Sequence, residues 1–397
     1  MSRILYISYT GLLEPLGQSQ VLQYLLGLSK DHEIELISFE KPDQFANLDQ
    51  KLALSKHLTD AGIHWHPLRY HKRFSLLATA FDLACMLRKA LQLDRQKPFD
   101  IVHCRSYIAG IAGAILKKRR GTSFIFDMRG FWADERVDGG TWKDGGLLFR
   151  GAKKVERWLL LSADYLVSLT RAGVVEIEKF PYMMDVKLRS AVIPTCTNLS
   201  LFRPLPTSSR KGNAITIGMV GSVGGWYLFD AMLQCVSRIF TTNPDARLLV
   251  VSKSDHAFIR RKLVDMGIER DRVEFASASY NEVASYIRRM DFGLFFIKPV
   301  FSKKGSAPTR LGEFLACGVP CLTNEGVGDM DEILVSSRTG VCLEAFSPEL
   351  YDAAYLQMID LLKKKDIVQR CRRTAEQYFS LEQGVADYDR IYRELAS

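Results

Sequence analysis

Ser306-Ala-Pro-Thr-Arg-Leu-Gly-Glu313-Phe-Leu-Ala-Cys-Gly318-Val-Pro320, followed by Cys-Leu-Thr-Asn324-Glu-Gly-Val-Gly-Asp329, decides the reading of this chain. It is a polar loop, a short helix holding one acid, a Gly-Val-Pro turn, a buried strand and a second glycine loop. A helix entered through Ser306, Pro308 and Thr309 offers unpaired backbone N–H groups and the positive end of its dipole, which suits a phosphate. Glu313, one turn further in, is placed to reach vicinal hydroxyls such as those of a ribose. A capped helix in an ordinary α/β domain has the same local appearance, so the place of the segment in the chain must decide.

Working outward, short β-branched or apolar runs alternate with helical patterns. In the second half the expected strands are 215–221, 246–252, 273–277, 292–297, 319–324 and 340–344. The first half carries 4–9, 34–39, 64–68, 101–105, 123–128, 165–170 and 192–194. Between them Phe202-Arg-Pro-Leu-Pro-Thr-Ser-Ser-Arg-Lys-Gly-Asn213 reads as a linker. Strands buried on both faces and separated by helices mean parallel sheets. The expectation is an α/β protein of two Rossmann-like, doubly wound domains facing a cleft, with ligands at the carboxyl ends of the strands.

Composition agrees with that frame. A chain of 397 residues, 47% apolar and 25% charged, is too long for one typical core and ordinary for a globular protein. It has no run of about eighteen apolar residues, and Met-Ser-Arg-Ile-Leu-Tyr-Ile-Ser enters a strand directly, so neither a membrane span nor a signal peptide is expected. Eight scattered cysteines without a Cys-x-x-Cys pair suggest buried, reduced thiols in a cytoplasmic protein. The net charge of +9 is uneven: residues 1–205 hold 29 Lys/Arg against 21 Asp/Glu, residues 206–397 hold 25 against 24. The basic first half points to an anionic partner there.

The loops after the strands carry the chemistry. Thr10-Gly11-Leu-Leu-Glu-Pro15-Leu-Gly17 would let backbone N–H groups approach a phosphate, although it is not the dinucleotide fingerprint. Asp127-Met-Arg129-Gly-Phe-Trp-Ala-Asp134-Glu135-Arg136 is dense in charge for a connection. Gly221-Ser222-Val-Gly224-Gly225-Trp-Tyr227 opens the second half with another glycine turn. Three further motifs are discounted: Asp329-Met-Asp331 as a helix cap, Asp291-Phe-Gly293 as a strand start, and His64-Trp-His66 as strand packing with no third ligand type nearby. No Ser-His-Asp or Cys-His arrangement supplies a nucleophile.

These residues together resemble a retaining glycosyltransferase of the GT-B fold, in family 4 (glycosyl transferases group 1). The resemblance runs through the Gly11/Gly17 loop, Ile193 to Pro204, the Gly221 loop, Ser306–Asp329 and the terminal Tyr378-Phe-Ser-Leu…Tyr388…Ile391-Tyr392 helix. The Asp127–Glu135 string resembles a bacterial cell-surface polysaccharide subgroup. The resemblance implies residues 1–204 as acceptor domain, 205–377 as nucleotide-sugar donor domain, and 378–397 as a helix crossing back. It implies a UDP- or GDP-sugar donor, a glycan, lipid-linked or small-molecule acceptor, no nucleic acid, and no cofactor or required metal. The roles implied are catalysis by Asp127, Arg129 and Arg310, and donor binding by Gly17, Gly221, Ser222, Gly224, Lys298, Ser306, Thr309 and Glu313.

The chain departs from the family pattern in ways that bear on the phosphate. The first of two glutamates usual in the family is Gly305 here, and the usual cations of the donor loop fall near Ser222 and Tyr227. Arg310, Lys298, Lys303, Lys304 or Lys253 must then supply the charge. A sugar-nucleotide epimerase or a catalytically inert scaffold on the same fold stays open as an alternative. Finally, Arg69–Lys89 joins a basic entry to a helix in which Phe74, Leu77, Phe81 and Ala84 share a face. Such a helix could rest peripherally on an anionic membrane surface, or pack on the sheet.

Overall fold

The apolar runs at the centre of each sheet become strands that are buried on both faces, whereas the edge strands are partly exposed. A computed structural model describes residues 1–71, 75–204, 214–253 and 256–396. In the first sheet, β1 (Arg3–Ser8), β2 (Glu33–Glu40), β3 (Ile63–Arg69), β4 (Ile101–Arg105), β5 (Ser123–Asp127), β6 (Tyr165–Ser168) and β7 (Ser190–Val192) lie in the order β3-β2-β1-β4-β5-β6-β7. In the second, β8 (Thr216–Val220), β9 (Arg247–Val251), β10 (Val273–Ala276), β11 (Phe292–Leu294), β12 (Cys321–Asn324) and β13 (Gly340–Leu343) lie in the order β10-β9-β8-β11-β12-β13. Every pairing within the two sheets is parallel. In each sheet the order reverses beside the first strand, which marks the switch point where doubly wound folds bind ligands.

The chain forms two compact units, Met1–Ile193 with Leu381–Ser397, and Pro194–Ser380. Residues 194–204, expected in the first domain, belong to the second unit. Phe202 is fully buried in that unit's core, and Arg372 Nη1 donates to the carbonyls of Leu199 (3.1 Å) and Phe202 (2.8 Å). Residues 378–380 also stay with the second unit, since Thr197 N donates to the Phe379 carbonyl at 2.7 Å. Residues 205–213 of the expected linker lie outside the described residues. The final helix, Leu381–Ala396, packs within the first unit on the helix Gln23–Leu28. Gly27 permits this approach: a Cβ there would stand 2.7 Å from the Val385 methyls.

Two expectations change in detail. β11 stops at Leu294 because the Asn324 side chain takes over its ladder: Oδ1 accepts from Ile297 N (2.7 Å) and Nδ2 donates to Ile297 O (2.9 Å). His64 and His66 do have an acid beside them, since both face Glu35 across the β2–β3 pairing, at 3.5 and 2.5 Å. Arg3 Nη2 occupies the same carboxylate at 3.0 Å, which makes this a structural ion-pair network. Asp291 opens β11 by accepting from Thr216 N at 2.7 Å, and Asp329 sits at the N-cap of Met330–Ser337. No helix among the described residues is long and apolar enough to cross a membrane.

Candidate functional site

In the second unit the chemistry gathers on the helix Thr309–Ala316, whose seat is set by glycines around it. Gly293 in β11 lets the Phe314 ring lie where a Cβ would stand 2.7 Å from it. Gly312 lies against Thr197 and Phe379, with ideal Cβ distances of 2.5 and 3.1 Å. Held on both sides, the helix buries Arg310 (8% exposed) and Glu313 (9% exposed). No side chain caps its start, and Ser306 and Thr309 are half-buried there.

Arg310 lies flat on Tyr227, with its guanidinium carbon 3.8 Å from the ring centroid. Its Nη2 would stand 2.5 Å from a Cβ at Gly221, whose φ of +93° already favours glycine. Among the described residues no ion pair or hydrogen bond holds this guanidinium, and burial lowers its pKa. A buried cation with no ion pair beside a glycine turn has the charge and the open side that an anion would need, and an unpaired buried charge is costly. The Glu313 carboxylate has no hydrogen-bond partner among the described residues either, and burial pushes it up to about 7 against the pull of Arg310. The charge of Glu313 in turn helps raise Tyr280, after burial, to about 12.

A pocket of about 390 Å³ adjoins this site at the carboxyl ends of β8 and β9, lined by Gly221, Ser222, Ser252, Lys253, Ala278 and Val283. Gly224 is exposed with open space above its Cα. The other candidate cations are differently placed. Lys298 is exposed, Lys303 is buried over the Trp226 ring at 3.8 Å, and Lys304 lies 5.8 Å from the Phe301 ring.

In the first unit the carboxyl edge of the sheet aligns Ser8, Arg105 and Asp127 in register on β1, β4 and β5. Asp127 is buried, with Tyr388 Oη donating to its Oδ2 at 3.3 Å, Arg129 Nη1 3.8 Å from Oδ1 and His103 Nε2 3.8 Å from Oδ2. Burial alone would raise its pKa, but Arg129, His103 and Arg105 together hold the carboxyl below its usual range. His103 shares its Nδ1 with Tyr392 Oη at 2.7 Å, and burial lowers its pKa in spite of Asp127. Arg129 adopts φ 64° and donates from Nη2 to Gln20 Oε1 at 3.2 Å. Ser106, which follows β4, adopts φ 71°. Left-handed non-glycine residues at two neighbouring strand ends store strain, a recurring mark of functional sites.

The Gly11 loop differs from expectation. Glu40 at the end of β2 accepts from Leu12 N (2.8 Å) and Leu13 N (3.0 Å), so these backbone donors are spent on a carboxylate. Gly17 is buried on the Gly11 carbonyl, where any side chain would collide. Its smallness serves loop packing. Sequence reasoning passed over His103, Arg105 and Gln20. The signal available was His-Cys-Arg at the carboxyl end of an apolar strand, where the inward pattern predicts apolar residues.

Two family models match the chain, a glycosyl transferase 4-like domain over residues 18–182 and glycosyl transferases group 1 over residues 214–361. Comparison with curated proteins gives no sequence match. Solved structures match over the full length. Sucrose-phosphate synthase from Thermosynechococcus elongatus is 16% identical, with TM-score 0.72 and coverage of 100% of this chain and 99% of that one. Anabaena HepE in complex with UDP and glucose is 14% identical, with TM-score 0.71 and coverage of 99% and 100%. A lipopolysaccharide outer core galactosyltransferase in its apo form is 14% identical, with TM-score 0.66 and coverage of 98% and 99%. Identities this low speak for the fold, while the two family models speak for the activity. With one model on each of two parallel-sheet units, the chain is a glycosyltransferase of the GT-B fold.

Proposed function

We propose that the protein transfers a glycosyl group from a nucleotide-sugar donor bound by the second unit to an acceptor handled by the first, with retention at the anomeric carbon. The observation that carries this reading is the buried, unpaired Arg310 stacked on Tyr227 beside Gly221. Tyr227 stands at a donor-loop position where the family tends to carry a cation. Here an aromatic face receives the cation from Thr309–Ala316 instead, an exchange worth about 2 kcal/mol or more for a desolvated cation–π contact. Arg310 and the N-terminus of that helix at Ser306 and Thr309 hold the diphosphate, Glu313 accepts from the ribose hydroxyls, and Gly221, Ser222 and Gly224 border the phosphates or the base. The UDP and glucose held by Anabaena HepE support a uridine nucleotide as the first donor to try.

In the step proposed, the bond from the anomeric carbon to the diphosphate oxygen breaks while the acceptor oxygen attacks from the same face. The acceptor proton passes to the departing phosphate oxygen, leaving a nucleoside diphosphate and a new glycoside. Arg310 stabilises the charge that develops on the leaving diphosphate, the kind of effect that dominates most enzymatic accelerations. This requires neither a protein nucleophile nor a metal. Asp127 and Arg129 orient the acceptor or the transferred sugar.

A lipid-linked acceptor at the inner face of a membrane suits the surface of the first unit. On the helix Ser75–Gln96, Leu77 (75% exposed), Phe81 (55% exposed) and Ala84 face outward and do not cover the sheet. Phe74, Lys72 and Arg73 lie outside the described residues. On Leu147–Ser162 the outward stripe of Leu147, Trp158 and Leu161 runs beside exposed Arg150, Lys154 and Arg157. Apolar and basic residues without an acid are what an interfacial helix needs on an anionic leaflet.

Turnover and binding with a panel of UDP-, GDP- and TDP-sugars test the reading. Release of nucleoside diphosphate with formation of a glycoside is the expected result. Donor epimerised without an acceptor would indicate the epimerase alternative, and no nucleotide binding at all would indicate an inert scaffold.

A further inference from the structure

At the carboxyl edge of the first sheet two arginines stand beside a single aspartate among the described residues. Arg105 is 7% exposed, its Nε has no hydrogen-bond partner, and its Nη1 reaches Thr10 Oγ1 only at 3.5 Å. Arg129 is nearly as buried and spends Nη2 on Gln20. Among the described residues the carboxylate beside them is that of Asp127, whose Oδ1 has no hydrogen bond and stands 3.8 Å from Arg129. Glu40 is occupied by loop N–H groups and by Ser38 Oγ at 2.6 Å. Gln20 Nε2 is a further buried donor with no partner, carried on a π-helical turn, Gln18–Leu22. Such turns recur at functional positions.

Two guanidiniums against one carboxylate leave about one positive charge in a desolvated place, with N–H donors from Arg105 and Gln20 unused. Unsatisfied buried donors are rare enough in native proteins to need a reason. An anion is the kind of partner such donors lack, because guanidinium groups match two-oxygen acceptors bidentately. The row formed by Ser8, Arg105 and Asp127 at the carboxyl edge is also where a doubly wound sheet receives its ligand.

We propose that Arg105 and Arg129, with Gln20, form a subsite for an oxyanion, a phosphoryl or carboxylate group, at the carboxyl edge of the first sheet. The inference builds on the glycosyl-transfer reading and narrows its substrates. The oxyanion is one borne by the acceptor, since the donor diphosphate is assigned to Arg310 of the second unit. Asp127 then serves as the neighbour that keeps Arg129 aimed, and the subsite selects charged over neutral partners.

The test uses the full-length protein, inorganic phosphate and UDP as probes, and potassium chloride at matched ionic strength as control. Binding is read by calorimetry and by the thermal midpoint. Arg310→Gln removes the cation of the second unit, so phosphate binding that survives in it reports the first. In that background, Arg105→Gln and Arg129→Gln are expected to weaken phosphate at least tenfold, while Arg105→Lys recovers part of the affinity and shows that the fold is intact. Arg105→Gln alone is expected to leave UDP affinity unchanged; a tenfold loss of UDP affinity would overturn the assignment of the oxyanion to the acceptor. Phosphate affinity indifferent to both arginines, with Arg105→Lys folded, overturns the subsite. Phosphate bound through Arg105 by a protein that ignores all nucleotides would sink the glycosyl-transfer reading and leave the subsite standing.

Discussion

The two units solve the same electrostatic problem in opposite ways. The second sets one cation, Arg310, on an aromatic face beside a glycine turn, with Glu313 on the same helix and no ion pair between them among the described residues. The first packs two arginines, an aspartate, a histidine and tyrosines into one network, with left-handed backbone at Ser106 and Arg129. A cation without a hydrogen-bonded partner is oriented by packing, here against the Tyr227 ring and the glycine turn. A network sets the orientation of each member through the others, so a change at one is felt by all. In the function proposed above, charge stabilisation falls to the lone cation and positioning to the network.

The sharpest way to break that contrast is Arg310→Gln, expected to lower turnover by roughly 10²-fold, the scale of removing one transition-state charge contact. Lys298→Ala and Lys303→Ala should each cost far less. A crippled lysine variant beside a normal Arg310→Gln would show that the phosphate cation lies elsewhere in the unit.

Next in size, Asp127→Asn should reduce transfer by more than tenfold with nucleotide affinity unchanged, because it alters charge and hydrogen bonding in the network while nearly preserving shape. Parallel loss of thermal stability and activity would reassign Asp127 to the fold alone.

Glu313 tests the second unit by pH. Its carboxyl is raised to about 7 by burial, so the folded protein binds more protons here than the unfolded chain between about pH 4.5 and 7. Stability attributable to this group therefore falls as pH rises through that window and stays low above it. Glu313→Gln should melt higher than wild type at pH 8 and lose that advantage by pH 5. The same variant should bind nucleoside diphosphate about tenfold more weakly at pH 8, as expected for loss of hydrogen bonds to a charged acceptor. A melting difference that does not vary with pH would place the carboxyl outside the buried site.

The smallest effect concerns the surface of the first unit. Replacing Arg150, Lys154 and Arg157 with Gln should weaken binding to phosphatidylserine-containing liposomes, since each charge contributes on the order of 1 kcal/mol near an anionic leaflet. Flotation at low and high salt checks it; salt-independent binding, or none at low salt, leaves the exposed Leu147 and Trp158 without a membrane role.

Much of the architecture was legible in the residues themselves. Alternation of short buried runs with helical patterns determines parallel sheets wherever helices must cover both faces, and thirteen expected strands lie at or beside the thirteen described. The glycine turn at Gly221 and the placement of Arg310 and Glu313 on one short helix are local in sequence, so helical spacing was enough to place the two side chains near each other. What the sequence could not settle was which loop donors remain free and which charges remain unpaired. Leu12 and Leu13 lose their N–H groups to Glu40, some 28 residues away, and Gly17 is consumed by packing. Arg310 finds Tyr227 across the sheet, and Arg105 joins Arg129 only because β4 and β5 are neighbours. Hydrogen bonds and charge balance depend on every group within a few ångströms, whatever its place in the chain. Periodicity determined the sheets; the tertiary structure alone decided where the protein keeps charge in reserve.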